Sequence, residues 1–242
     1  MMTEQEHSYR PQPVSFVRRG NRLQGTRQQA WTDHSADYLI DVPRLAADTS
    51  VDPDYRFVAV TAFGRSAELV VEIGSGLGDA IVHAAQTHPE RDYLAVEVYL
   101  PGLAQTIKRA AAQNVRNLRV VQANAPEVLS TMLPAGSVSE LWTFFPDPWP
   151  KARHEKRRLL TADFAELAAR VLAPGGLWRL ATDWEHYAAQ ILNIGTASSL
   201  QNAFPDWAPR FNGRILTNFE RKALAAGRQV RDLTFSKGSA GT

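Results

Sequence analysis

At 242 residues, with 44% hydrophobic content and a formal net charge of +2, the chain is long for one domain, short for two full ones, and able to bury a sizeable core. It contains no cysteine, which excludes disulfide staples, zinc-finger ligand sets and a thiol nucleophile. The polar N-terminal stretch MMTEQEHSYRPQP has no apolar signal-peptide core, and no apolar run approaches bilayer-spanning length, so a soluble, cytoplasmic protein is expected.

The distribution of charge says more than its sum. Five arginines (Arg10, Arg18, Arg19, Arg22, Arg27) and no acid lie between Ser8 and Gln29. A second basic cluster is Lys151, Arg153, Lys156, Arg157 and Arg158, and a sparser third holds Arg210, Arg214, Arg221, Lys222, Arg228 and Arg231. Any one cluster alone reads equally well as solvated surface; three segregated patches on a near-neutral protein point to a polyanion partner.

In chain order, residues 1–30 lack hydrophobic periodicity and are expected to form a flexible basic arm, leaving 31–242 as one domain. From Trp31 to Phe63 the pattern is mixed, with Pro43 and Pro53 breaking it into short helices or turns. A regular alternation follows. ELVVEIG (68–74) is a β-branched run ending at glycine, the signature of a buried parallel strand. DAIVHAAQTHP predicts a helix stopping before Pro89, and DYLAVEV a second strand. PGLAQTIKRAAAQN predicts a helix started by Pro101 and closed near Asn114. NLRVVQA is a third strand, PEVLSTML a short helix, and VSELWTFFP a fourth strand. TADFAELAARVLAPGG predicts a helix ended by Pro-Gly-Gly. LWRLATD is a fifth strand, WEHYAAQILNIG a fifth helix, and QVRDLTFSK a last strand. This alternation means a doubly wound α/β fold around one mostly parallel sheet, with right-handed crossovers.

In such sheets ligands sit at the carboxyl ends of the strands. The first strand ends in VEIGSGLGD, where Gly74, Gly76 and Gly78 allow a sharp turn and close approach to a ligand at a helix N-terminus. The spacing differs from the G-x-G-x-x-G of dinucleotide sites, and no G-K-[ST] follows. Glu72 inside this strand end would repel a pyrophosphate and suits a cation. Glu97 ends the second strand, where an acid accepts hydrogen bonds from ribose hydroxyls. Asn124, after the third, is placed to bond an adenine edge or to cap a helix. Asp147 and Asp183 end the fourth and fifth strands. The five ends offer no lysine or arginine to grip a phosphate. The set favours a cationic, adenosine-bearing, phosphate-free cofactor, and S-adenosylmethionine fits. Isolated His154 and His186 have no metal-ligand spacing, so no metal is expected.

The stretches VEIGSGLG, FFPDPWPKARHEKRR, LAPGG, TDWEHYA and TNFE, in this order, resemble the tRNA (guanine-N7-)-methyltransferase family of bacterial single-subunit type, over about Ser15 to Phe235. The Phe-Pro-Asp-Pro-Trp motif with its basic continuation is specific; the glycine loop is not. The resemblance implies a class I methyltransferase fold, with a Rossmann-like, mostly parallel seven-stranded sheet. It implies transfer of a methyl group from S-adenosylmethionine to N7 of a guanine in tRNA, usually in the variable loop, leaving S-adenosylhomocysteine. It places Glu72, Glu97, Asn124 and Asp147 around the cofactor, which the turn glycines Gly74 and Gly76 are expected to approach by their backbone. Lys151, Asp183 and the segment Thr217, Asn218, Phe219 and Glu220 are implied to meet the RNA. The family often has Asp at position 124, and Asn can still bond the adenine edge.

Guanine N7 carries a lone pair and no proton, so its methylation needs no general base. Asp147 is then expected to be the catalytic group, accepting hydrogen bonds from the guanine N1–H and exocyclic amine as positive charge moves onto the purine. Pro146 and Pro148 fix its backbone. Trp149 or a phenylalanine either stacks on the base or simply packs. Arg153, Lys156, Arg157 and Arg158 are expected to hold neighbouring phosphates, and a turn-capping role is the plain alternative for Asp147. Other readings are a methyltransferase for another substrate, a catalytically silent RNA-binding subunit and a nicotinamide dehydrogenase. The intact acids, the basic clusters and the glycine spacing disfavour them. No obligate protein partner is evident.

Overall fold

The computed structural model describes residues 22–46 and 49–239. Strands β1 (Leu69–Ile73), β2 (Asp92–Glu97), β3 (Leu118–Gln122), β4 (Val138–Phe144), β5 (Leu172–Thr182), β6 (Gln201–Asn202) and β7 (Arg231–Ser236) form one seven-stranded sheet in the order β3-β2-β1-β4-β5-β7-β6. β1 to β5 run parallel, and β7 pairs antiparallel with β5 and β6. The expected doubly wound α/β class is the one observed. β1 lies between β2 and β4 with every residue buried, which is why it reads as an apolar run interrupted only by Glu72.

Side-chain alternation sorts the core into two layers. Val70, Tyr93, Ala95, Val120 and Trp142 face helices α1 (Gly25–Tyr38), α3 (Asp79–Thr87) and α4 (Leu100–Ala112). Leu69, Val71, Leu94, Val121 and Trp178 face α6 (Ala162–Val171), α7 (Glu185–Thr196) and a π-helical turn, Val128–Met132. That turn continues α5 (Ala125–Glu127), where a single short helix was expected. The five-residue α2 (Ala59–Phe63) and α8 (Asn218–Ala225) complete the fold.

Three expectations need correction. α1 begins at Gly25, inside the stretch expected as an arm; residues 1–21, with Arg10, Arg18 and Arg19, lie outside the described residues. α1 buries only Ala30 and Tyr38, so it has no apolar stripe to read. Polar ties to α4 and its C-terminal loop fix it: Arg27 Nε to Gln105 at 3.2 Å, Lys108 Nζ to Thr26 at 2.9 Å, and Tyr38 OH to the Val115 carbonyl at 2.9 Å. Second, Pro-Gly-Gly does not end α6. The helix stops at Val171, and residues 172–176 open β5 as an irregularity at which the pairing shifts between Val138–Leu172 and Glu140–Leu177. Gly176 is needed there, because a Cβ would meet the Ala173 carbonyl oxygen at 2.8 Å. Third, the two-residue β6 went unread among the predicted elements; it is too short to carry a pattern.

Candidate active site

Because β3, β2, β1 and β4 are parallel and adjacent, the residues at their carboxyl ends share one edge. The loop after β1 hooks onto β2, with the Gly74 and Ser75 amides donating to the Val96 carbonyl at 2.8 and 3.2 Å. Gly74, Gly76 and Gly78 all have positive φ (72°, 58° and 75°), a region that side chains rarely tolerate. Packing is as restrictive as torsion here. A Cβ on Gly102 of α4 would lie 2.4 Å from the Gly76 carbonyl oxygen.

The Gly76 amide donates to Glu97 Oε2 at 2.9 Å, and the Val98 and Tyr99 amides donate to Oε1 at 2.7 and 2.9 Å. Glu97 thereby clamps the glycine loop to the start of α4. Burial still raises its carboxyl above the ordinary range, against these bonds and with a small contribution from Asp147. Glu72 is 4% exposed. Burial, then the charges of Glu97 and Asp79, push its carboxyl up to about 8. Asp147 is raised by desolvation although its side chain reaches solvent. Three carboxylates thus crowd one edge, each resisting ionisation, an arrangement that a cation relieves.

Among the described residues, three buried polar atoms at this edge have no hydrogen-bond partner: Glu72 Oε2, Ser75 Oγ and Asn124 Oδ1. Unsatisfied buried groups of this kind are uncommon in proteins and need an explanation. Asn124 stands at the N-cap position of α5, but its side chain makes no capping bond; its Nδ2 donates to Glu127 Oε1 at 3.3 Å. Its amide oxygen has no hydrogen-bond partner among the described residues. An acceptor-rich, acidic, phosphate-repelling pocket edge fits an adenosyl cation, with Glu72, Ser75, Glu97 and Asn124 as the groups to hold it.

The turn after β4 is strained. Phe145 (φ 52°) and Trp149 (φ 42°) both adopt left-handed backbone conformations and bracket Pro146-Asp147-Pro148. Such conformations cost of order 1–3 kcal/mol each for side chains this large and persist where the surroundings over-determine them. The Phe145 amide is held by the Ala181 carbonyl at 2.7 Å. Trp149 is half-buried, edge-on to His154 at 5.8 Å, with the Arg157 guanidinium 5.1 Å from its ring centroid. The chain continues through exposed Lys151 into a 3-10 turn, Ala152–Arg157, on which Arg153 and Lys156 are also exposed.

Arg158 does not belong to that exposed face. It is 3% exposed, donates to the Pro148 carbonyl at 2.8 Å and to Gln190 at 2.5 Å, and lies over the Tyr187 ring. A buried guanidinium cannot reach a phosphate; Arg158 braces the turn from behind. Asp183 is ion-paired with Arg228 at 2.7 Å rather than capping α7, which makes no side-chain capping bond. Thr217 caps α8 by accepting from the Glu220 amide at 3.2 Å. Asn218 and Phe219 are exposed, Phe219 by 65%. Glu220 is instead buried between Arg210 and Arg214, which hold its carboxyl below the usual range against burial. Much of the third basic cluster is likewise paired internally, including Arg231 with Glu185 at 3.9 Å.

Residues 66–233 match a family model described as "Putative methyltransferase". A curated tRNA (guanine-N(7)-)-methyltransferase of Paenarthrobacter aurescens (strain TC1) is 49% identical, covering 95% of this chain and 93% of that protein. A protein of the same name from Cutibacterium acnes is 46% identical over 93% of this chain and 83% of its own length. The chain belongs to the tRNA (guanine-N(7)-)-methyltransferase family. Solved structures share its fold at low identity. The 16S rRNA methyltransferase KamB superposes with a TM-score of 0.55 at 16% identity, over 73% of this chain and 90% of its own. A 16S rRNA (adenine(1408)-N(1))-methyltransferase from Catenulisporales acidiphilia, solved with its cosubstrate SAM, gives 0.54 at 17% identity, over 80% and 95%. The class I methyltransferase fold and dependence on S-adenosylmethionine follow from membership of this family.

Of the residues singled out in the sequence, the fold gathers Glu72, Gly74, Gly76, Glu97, Asn124 and Asp147 along one edge, and Lys151, Arg153, Lys156 and Arg157 directly beyond it. Sequence reasoning missed two residues. Ser75 lies between two loop glycines, a position that could have marked it. Arg214 had no signal at all, since one arginine in a basic segment looks like another. Among the described residues no helix is long and apolar enough to cross a membrane.

Proposed function

We propose that this chain transfers the methyl group of S-adenosylmethionine to N7 of a guanine in tRNA, that the target lies in the variable loop, and that Asp147 is the catalytic group. The observation that carries this reading is the Asp147 turn: a carboxylate beside the cofactor edge, between two left-handed residues, running directly into exposed Lys151, Arg153 and Lys156. S-adenosylmethionine supplies an electrophilic methyl on a sulfonium. Glu72, Ser75, Glu97 and Asn124 bind and orient it. Asp147 accepts from the guanine N1–H and exocyclic amine, whose acidity rises as N7 gains a bond, so the contact strengthens toward the transition state. Trp149 stacks on the base or a neighbour, a contact worth roughly 1–3 kcal/mol. Asp183 and the exposed residues of the Thr217–Glu220 segment meet the RNA further out. The reaction leaves S-adenosylhomocysteine and needs no metal, no base and no partner protein. From the tRNA-modifying role we infer a cytoplasmic location.

A tRNA carrying 7-deazaguanosine at the target position keeps the shape and the Watson–Crick edge but has C–H in place of N7. It should bind like unmodified tRNA and accept no methyl group; methylation of that nucleoside at another atom would overturn the reading. The ramp has its own test. Replacing Lys151, Arg153 and Lys156 with alanine should reduce the slope of log affinity against log salt by roughly 2 to 3, the release expected for three phosphate contacts. An unchanged slope would assign the three to solubility.

A further inference from the structure

Arg214 is 1% exposed. Its guanidinium forks onto Asp232 of β7, Nη1 to Oδ1 at 2.5 Å and Nη2 to Oδ2 at 3.0 Å. The same group donates to Glu220 of α8, from Nε at 3.3 Å and Nη2 at 3.2 Å. Its carbon centre lies 5.2 Å from the ring centroid of Phe144 and 5.6 Å from that of Phe145. One buried side chain therefore joins the last strand, the helix capped by Thr217 and the point at which β4 leaves the sheet for the Asp147 turn. Phe145 is also the first of the two left-handed residues of that turn. Strain of this kind needs fixed neighbours, and Phe145 has among its neighbours the Ala181 carbonyl and the Arg214 guanidinium.

A charged cluster is a poor way simply to stabilise a core, because apolar side chains of the same volume often do as well or better. What the planar fork adds is direction: two parallel bonds to one carboxylate fix its plane, and a flat cation fixes the ring packed on it. We propose that Arg214 is a positioning residue that holds the Phe145–Trp149 turn, and with it Asp147, in register with the α8 segment carrying Asn218 and Phe219. It acts through Phe145 and Glu220 and touches no reacting atom. The inference rests on the reading of Asp147 given above.

Arg214→Lys keeps the charge and removes the fork. Three readouts separate positioning from bulk stability: kcat at saturating S-adenosylmethionine, cofactor affinity by calorimetry, and hydrogen exchange of the amides at Phe145, Asp147 and Trp149. Arg65→Lys serves as the control. Arg65, at the opposite end of the sheet, is exposed and makes no two-oxygen fork, its Nε donating to Asp92 Oδ1 at 2.9 Å and its Nη2 to the Pro89 and Arg91 carbonyls at 2.7 and 2.9 Å. Arg214→Lys should lower kcat roughly 10- to 100-fold, the loss expected from an ångström-scale misplacement, with cofactor affinity nearly unchanged and faster exchange in the turn. Arg65→Lys should lower the melting temperature without either effect. Unchanged kcat and exchange in Arg214→Lys, or losses matched by Arg65→Lys, would overturn the proposal. If Arg214→Lys does not fold, Glu220→Gln removes one charge from the same cluster and is judged by the same criteria. A wild-type chain that methylates no tRNA would sink the functional reading instead, while the exchange measurement would still decide whether Arg214 orders the turn.

Discussion

Asp147→Ala is expected to lower kcat for tRNA methylation by at least about a hundredfold at saturating cofactor, the scale measured when one transition-state hydrogen-bonding group is removed from an active site. tRNA affinity should change little, because Lys151, Arg153 and Lys156 remain exposed to hold the backbone. The expectation follows from timing. In the proposed role, hydrogen bonds from the guanine to Asp147 would form in the ground state and strengthen as the purine becomes cationic, and only that increment would accelerate the reaction. Asp147→Asn is more informative still. It preserves shape and one acceptor oxygen but points an N–H₂ at two guanine donors, so it should recover only part of the loss. Normal turnover with weakened RNA binding would remove Asp147 from the chemistry and make it a docking residue.

The second large effect concerns pH. The Glu72 carboxyl, raised from 4.5 to about 8 by burial and by the charges of Glu97 and Asp79, keeps its proton at neutral pH in the free protein. A raised carboxyl binds a proton in the folded state that the unfolded state has lost. The contribution of Glu72 to the stability of the free protein therefore falls as pH rises from about 4.5 to about 8 and levels off above it. Cofactor binding works in the opposite sense. A cation beside Glu72 favours the carboxylate, so binding expels a proton, and affinity for S-adenosylmethionine should rise about tenfold per pH unit up to about pH 8. Calorimetry at pH 7 in buffers of different ionisation enthalpy should report close to one proton released per cofactor bound. Glu72→Gln should bind more weakly above pH 8 and lose both the slope and the proton release. Flat affinity in the wild-type chain, with no proton released, would mean that Glu72 already carries its charge or that the cofactor's cation lies elsewhere.

How far the sequence led depends on what each residue had to reveal. The parallel strands were legible because β1 and β2 are buried on both faces and so are written mostly in apolar residues, with acids only at Glu72 in β1 and at the two ends of β2. Helix α1 was not, since it is held by a few polar contacts rather than an apolar stripe. Pro-Gly-Gly was read as a helix stop by its composition, yet the close approach of the Ala173, Ser139 and Val138 carbonyls to Gly176 makes it a strand irregularity. The carboxyl-edge acids could be found because topology alone takes strand ends to one edge. Burial of charge could not be found this way. Arg158 looked like one more rung of a basic ramp, and Glu220 like an RNA contact, until their partners Gln190, Arg210 and Arg214 came into view. The prolines around Asp147 announced a rigid turn, but not that Phe145 and Trp149 on either side would be left-handed.

The most direct measurement is transfer of labelled methyl from S-adenosylmethionine to bulk tRNA lacking the modification, with the product digested to nucleosides and separated. The label should appear in N7-methylguanosine alone and, in sequenced fragments, at the variable loop. Label in any other nucleoside, or none in tRNA despite tight cofactor binding, would contradict the account and direct attention to a different acceptor.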